Sequence, residues 1–185
     1  MISTNDFRTG VTVELEGQLW TVVDFQHVKP GKGSAFVRTR LKNVIRGNVL
    51  EKTFRAGEML TRAIIETREM QYLYGSADEY HFMDNATYEQ IHLGQDILGD
   101  QVDLLKEGTS INVQFHDGRV IGAELPNHIE LAIIETDPGF KGDTATNVQK
   151  PAKLETGAVV NVPLFINAGD RIRIDTRDRK YVSRV

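Results

Sequence analysis

The feature that most constrains the fold of this chain is an internal repeat with an offset of 61 residues. In each copy, a glycine precedes an alternating apolar strand, a tight turn containing aspartate and a returning apolar position. The first copy comprises Gly108, Ile111, Val113, Asp117 and Ile121, and the second comprises Gly169, Ile172, Ile174, Asp178 and Val182. Two copies of one supersecondary unit imply two similar small β-barrels in tandem. Their length and number of strands fit the OB fold.

The chain ahead of the repeat also indicates β-structure. Residues 1–63 contain short runs with the alternation of strands, separated by glycine turns, and they show no helical pattern. We therefore predict three all-β domains, at residues 1–63, 64–126 and 127–185. Asp84 and Asn85 are expected to cap a short helical turn that begins near Thr87. The long polar stretch 137–154 is either a functional loop or a simple connector.

One hairpin in the first domain stands out. Lys32 lies between Gly31 and Gly33, directly after Pro30, and this turn chemistry predicts a tight loop between two strands. Glycines leave such a tip without side chains to pack against, so Lys32 should project into solvent or into a partner. The plain alternative is an ordinary turn with a solvated lysine. A phosphate-binding P-loop fits worse, because its glycine spacing and its following helix are missing.

Charge is distributed unevenly along this chain of net charge −4. Residues 29–55 contain eight cations and one anion, whereas residues 64–126 contain three cations and twelve anions. On the strand after the loop, alternation places Val37, Thr39 and Leu41 on one face. The other face carries the cations Arg38, Arg40 and Lys42, which together with Lys29 suit phosphate contacts. We expect this end of the molecule to dock onto a polyanion such as structured RNA, with solvated surface as the alternative.

The residue types that carry most enzyme chemistry are missing or scattered. The chain has no cysteine, and its five histidines show no ligand spacing, so we expect no metal and no cofactor. One enzymatic alternative is Lys32 as a Schiff-base nucleophile, but a glycine-flanked tip offers little of the burial that lowers a lysine pKa. We expect a protein that is not an enzyme. Because no signal peptide or membrane span is evident, we expect a cytoplasmic protein without membrane attachment. We also expect it to be a monomer.

Three stretches of this sequence resemble the bacterial elongation factor P family. They are the loop KPGKGSAFVRTRLKN at residues 29–43, the strand ETREMQYLY at 66–74 and a motif at 150–169. That motif matches the pattern K-x-A-x4-G-x2-[LV]-x-V-P-x2-[LIV]-x2-G at every fixed position. The tail YVSRV at 181–185 is also similar to the family's. The resemblance covers essentially the whole chain.

This resemblance implies both a fold and a function. The fold is an N-terminal KOW-type, SH3-like barrel followed by two OB barrels, arranged in an L like a tRNA. The function is to bind both ribosomal subunits beside the peptidyl-tRNA and to stimulate peptide-bond formation at consecutive prolines. Alternatives are an elongation factor P-like paralogue and a general OB-type RNA-binding protein without ribosomal activity.

The resemblance also implies roles for individual residues. Lys32 corresponds to the family's modified tip residue, which a lysine-modifying enzyme extends; β-lysylation and an aminopentanol-type extension both remain open. Small-subunit contact is implied for one element in the third domain and for two positions in the tail. These are Gly142, Asp143 and Thr144 in the first case, and Tyr181 and Arg184 in the second.

Overall fold

The computed structural model describes residues 1–139 and 148–185, and most of this part of the chain is β-strand. The strands in these ranges are β1 (Ile2–Ser3), β2 (Thr12–Leu15), β3 (Gln18–Val28), β4 (Phe36–Asn43), β5 (Val49–Arg55), β6 (Met59–Ala63), β7 (Glu66–Ser76), β8 (Glu79–Asp84), β9 (Gln90–Gly94), β10 (Ser110–His116), β11 (Arg119–Glu124), β12 (His128–Thr136), β13 (Gln149–Leu154), β14 (Val159–Pro163), β15 (Arg171–Asp175) and β16 (Lys180–Arg184). Helical turns in these ranges are the 3-10 segments Thr4–Asp6 and Gly99–Leu104 and the single α-helical turn α1 (Gln95–Leu98). The predicted all-β class is confirmed.

The first six strands form one sheet in the order β1-β6-β2-β3-β4-β5. Its apolar faces enclose a core that includes Phe7, Trp20 and Phe54, with the rings of Phe7 and Phe54 in an edge-to-face contact at 5.9 Å. Along β4, Val37 and Leu41 are fully buried while the intervening cations are exposed, as strand alternation predicts. Burial of one face thus fixes which side chains of β4 face solvent.

The second and third sheets have one topology. Their orders are β11-β10-β7-β8-β9 and β14-β13-β12-β15-β16, so β7 and β12 hold equivalent central places. A β-bulge interrupts β7 between Tyr72 and Tyr74, and another interrupts β12 between Ile133 and Glu135. The two bulges are themselves 61 residues apart. The repeat in the sequence is therefore a repeat of strand order that includes the bulge in the central strand.

Turn chemistry was predicted correctly at one site and incorrectly at another. Asp117 and Gly118 both have positive φ, 48° and 74°, as a tight hairpin turn between β10 and β11 requires. The helical turn expected to begin near Thr87 is wrong, because residues 85–87 form a turn and β9 begins at Gln90. Asp84 does cap this turn, since its carboxylate accepts the N–H groups of Ala86 and Thr87 at 2.8 and 3.1 Å.

By proximity, the described residues divide into two compact units. One unit comprises residues 1–67 and 114–122, and the other comprises the described residues of 68–113 and 123–185. The domain boundaries expected near residues 64 and 127 stay a prediction. No helix in the described ranges combines the length and apolar character needed to cross a membrane.

Candidate nucleic-acid interface

The Lys32 loop connects β3 to β4, and the last pair of the ladder below it is Val28 with Phe36. Gly33 has a φ of +107°, a backbone conformation that residues with a side chain rarely adopt, and this explains the glycine at this position. Lys32 is exposed, and it makes no hydrogen bond or ion pair with the described part of the chain. The loop therefore presents the Lys32 side chain to solvent.

The cationic strand face is present on β4. Arg38, Arg40 and Lys42 are all exposed and alternate with buried residues. Successive residues on one face of a strand are about 6.6 Å apart, close to the spacing of phosphates along a nucleic-acid strand. The sheet therefore presents a row of cations with the geometry of a polyanion-binding surface.

Anions on the neighbouring strands flank this row, a feature that depends on strand register. Cross-strand register places Arg40 between Asp24 of β3 and Glu51 of β5. Glu51 also approaches Arg38, with its Oε1 3.5 Å from the guanidinium Nε. Since both side chains of that pair are more than half exposed, the pair contributes little to stability. Its effect is to orient Arg38 and to dilute the positive potential of the row.

The two tail residues implied in subunit contact lie together on β16. Tyr181 pairs with Ile174 and Arg184 pairs with Ile172, and a bulge between these pairs brings both onto one side of the sheet. Arg184 is exposed and its guanidinium lies 5.9 Å from the ring centre of Phe165. Gly142, Asp143 and Thr144 lie outside the described residues.

Lys150, the first residue of the motif at 150–169, has an unusual place in the structure. Lys150 is 6% exposed, and its ammonium donates a 2.5 Å hydrogen bond to the backbone carbonyl of Asp137. A buried ammonium is costly unless it is paired, and the Asp137 carbonyl supplies the partner. The same contact joins the two chain segments on either side of residues 140–147. The sequence indicates that Lys150 is buried, because the residues two and four positions later, Ala152 and Leu154, are apolar. All three lie on the buried face of β13.

Ionisable groups with shifted pKa values are explained by local structure rather than by a catalytic centre. Hydrogen bonds and charge from Arg177 lower the pKa of Asp175 to about 2. Burial would raise the pKa of Glu155, but hydrogen bonds from the Ala132 N–H and the Lys106 ammonium outweigh it and lower that pKa. In the parts of the chain that the structure describes, no three His, Asp or Glu side chains gather as metal ligands would.

Comparison with protein families divides the chain in three. The elongation factor P KOW-like domain matches residues 3–60, the elongation factor P OB domain matches 65–123, and the elongation factor P C-terminal domain matches 129–184. The three matches coincide with the three sheets. They confirm a KOW-like barrel followed by OB-type barrels.

Individual relatives agree with these matches. An elongation factor P of Pelotomaculum thermopropionicum is 59% identical over 185 residues, which is all of both chains. One of Gloeobacter violaceus is 60% identical and covers all of this chain and 99% of its own. Among solved structures, eukaryotic translation initiation factor 5A from Methanococcus jannaschii aligns with a TM-score of 0.52 at 22% identity, over 66% of this chain and 94% of its own. This last likeness concerns the fold alone.

Tandem KOW-like and OB barrels, with a cationic hairpin on the first, define a β-barrel protein of the translation-factor type. The chain belongs to the elongation factor P family, since its relatives are close to 60% identical from end to end. It is a translation elongation factor, and the resemblance found in its sequence is confirmed.

Proposed function

We propose that this protein binds the ribosome beside the peptidyl-tRNA. It stimulates peptide-bond formation where consecutive prolines stall the ribosome. The observation that carries the proposal is Lys32, an exposed lysine without a partner in the described chain, at a glycine-flanked tip of the cationic barrel. In this proposal the barrel anchors on RNA phosphates and the tip reaches the end of the peptidyl-tRNA. The protein acts in the cytoplasm as a monomer.

The proposed mechanism is positional and makes the protein a factor rather than an enzyme. Proline is a stiff and poor nucleophile, so its slow reaction is largely a problem of geometry. Holding the peptidyl-tRNA in a reactive pose lowers the entropic part of the barrier without an acid or base. Arg38, Arg40 and Lys42 supply charge for anchoring, while Tyr181 and Arg184 offer a second contact with the small subunit.

We further propose that a lysine-modifying enzyme extends Lys32. An exposed ammonium with no internal contact is accessible to such an enzyme, and added length brings the tip closer to the reacting ends. Lysine at this position accepts β-lysylation or an aminopentanol-type extension, and it excludes a modification specific to arginine.

The test is translation of a Pro-Pro-Pro reporter in cells that lack the native gene. The wild-type chain should restore full reporter yield. Lys32→Ala should lose most of it, because a tenfold slower step needs only about 1.4 kcal/mol of lost positioning. Lys32→Arg should fail nearly as badly, since it keeps the charge but not the chemistry of a lysine. Intact mass and peptide mapping over residues 29–38 should show the added group on the wild type.

A matched control is Lys29→Ala, which removes a cation from the same loop but leaves the tip. It should reduce ribosome binding modestly and retain rescue. Rescue by Lys32→Arg equal to wild type would contradict the modification. A reporter yield that is the same with and without the wild-type chain would favour a general OB-type RNA-binding protein.

A further inference from the structure

Three rings form a row across the outer face of the middle barrel. Tyr74 of β7 pairs across the ladder with His81 of β8, and His81 pairs with His92 of β9. The first two rings are stacked, with centroids 4.5 Å apart and planes inclined by 20°. The centroids of the two histidines are 6.2 Å apart. We call Tyr74, His81 and His92 the ring row.

The ring row faces away from the core. The bulge at Leu73 turns Tyr74 outward, whereas its neighbours Tyr72 and Phe82 are buried inside. Tyr74 is 50% exposed and His92 is exposed as well. Exposing the apolar surfaces of neighbouring rings to water is unfavourable, and folding of the barrel does not require it.

Two carboxylates lie beside the ring row, next to its middle member His81 and near its β9 side. Glu79 precedes His81 on the same face of β8, and its Oε2 is 3.9 Å from His81 Nε2. Its partner across the ladder is Gly94. A Cβ placed on Gly94 would lie 2.4 Å from Oδ1 of Asp96, so the Asp96 carboxylate covers this glycine. Aromatic faces beside carboxylates form a surface suited to a cation.

The third barrel provides an internal control for the role of the rings. The position equivalent to Tyr74 is Glu135, which pairs with Lys153, and Lys153 pairs with Val159. The two barrels have the same strand order and the same bulge, yet only one has rings in this row. The fold therefore does not need the rings, and their presence indicates a role in binding.

We propose that the ring row and its carboxylates bind an arginine-bearing segment of a basic protein. A guanidinium is planar, so it can stack on the tyrosine ring while its N–H groups reach Glu79 or Asp96. The surrounding segment, residues 64–126, holds twelve anions and three cations, which attracts a basic partner. The same charge repels phosphates, and for this reason a protein rather than an RNA is the occupant. This surface is separate from the cationic barrel and does not depend on its function.

The experiment is a titration of the full-length, 15N-labelled protein monitored by amide chemical shifts at about 0.15 M salt. The probes are acetyl-GRGRGRG-amide, the glutamate peptide acetyl-GEGEGEG-amide and octauridylate RNA. The arginine peptide should shift the amides of Tyr74, His81 and His92, and the other two probes should not. Tyr74→Ala should weaken peptide binding about two- to fivefold, the loss expected for an exposed cation–π contact.

Tyr88→Ala is the matched control, because Tyr88 is a 71% exposed tyrosine of the same barrel that lies outside the ring row. It should bind the peptide like wild type. Glu79→Gln provides a second variant that keeps all three rings and should also weaken binding. The proposal is overturned if octauridylate shifts the ring row instead, if the arginine peptide leaves it unshifted, or if Tyr74→Ala and Tyr88→Ala bind equally well.

Discussion

The backbone N–H of Gly108 donates a 2.9 Å hydrogen bond to the carbonyl of Tyr72, and this bond ties the start of β10 to the bulge of β7. The equivalent bond recurs 61 residues later, where Gly169 donates to Ile133 at 2.8 Å. Both glycines have strongly positive φ, +85° and +92°. The same backbone hydrogen bond therefore lies just before β10 in the middle barrel and just before β15 in the third barrel.

Alanine at either glycine should destabilise its barrel. The positive φ is unfavourable for any residue with a Cβ, so Gly108→Ala and Gly169→Ala should each lower the free energy of unfolding by about 1 to 2 kcal/mol. Urea denaturation measures this change. Gly31→Ala is the control, since Gly31 does not share the positive φ and has open space around its Cα. A control loss as large as the other two would contradict the assignment of cost to φ.

Reversing the charge of the cationic row should weaken RNA binding. Changing Arg38, Arg40 and Lys42 to glutamate should reduce ribosome affinity at least tenfold and lower the slope of log affinity against log salt by about 2 to 3. Sedimentation with ribosomes at several salt concentrations measures both quantities. Glu51→Gln changes the charge in the opposite direction beside Arg40 and should tighten binding. Unchanged affinity in both variants would make the row mere solvated surface.

The Asp175 carboxyl should titrate at unusually low pH. Its pKa is lowered from 3.8 to about 2, first of all by hydrogen bonds from the Arg177 side chain. A lowered pKa in the folded state stabilises the protein above pH 3.8, and this contribution is lost as pH falls from 3.8 towards about 2. Carbon-13 NMR of the carboxyl measures the pKa, and Arg177→Ala should raise it towards 3.8. An unchanged pKa in that variant would remove Arg177 as the cause.

Lys106 and Glu155 should stabilise the contact between the middle and third barrels. Their ion pair spans 3.0 Å, and the same Glu155 oxygen accepts the N–H of Ala132. A double-mutant cycle with Lys106→Ala and Glu155→Gln should give a coupling energy of about 0.5 to 1 kcal/mol at pH 7. Because the pKa of Glu155 lies below its usual 4.5, the coupling should persist above pH 4.5 and vanish as the pH falls further. Coupling that is independent of pH would argue against a charged pair.

Much of the fold could be predicted because it depends on short-range patterns. Alternation determines which residues of β4 are buried, and the Asp117-Gly118 pair marks the hairpin between β10 and β11. The prediction of a helical turn near Thr87 is wrong because an aspartate can cap a tight turn as well as a helix. Only the hydrogen bonds that follow the cap distinguish these outcomes, and they depend on where β9 pairs.

The site was predictable only where it lies on a single strand. The exposed Lys32 and the row on β4 follow from local sequence, but the flanking of Arg40 by Asp24 and Glu51 depends on register between strands. The ring row is not evident in the sequence for the same reason, since its members come from three strands and one of them follows a bulge. A one-residue shift in either pairing would move these side chains to the opposite face.

The shared topology of the two OB barrels has a consequence for folding. Strands β7 and β12 hold the same place in their sheets. Each of β10 and β15 therefore has a native central strand and a similar, non-native one with which to pair. At a synthesis rate of about 5 to 20 residues per second, each strand of the middle barrel is made about 3 to 12 s before its equivalent in the third barrel, 61 residues later. On the ribosome, β10 finds β7 before β12 exists. A chain refolding from denaturant has no such order and must reject the wrong partner through core packing alone.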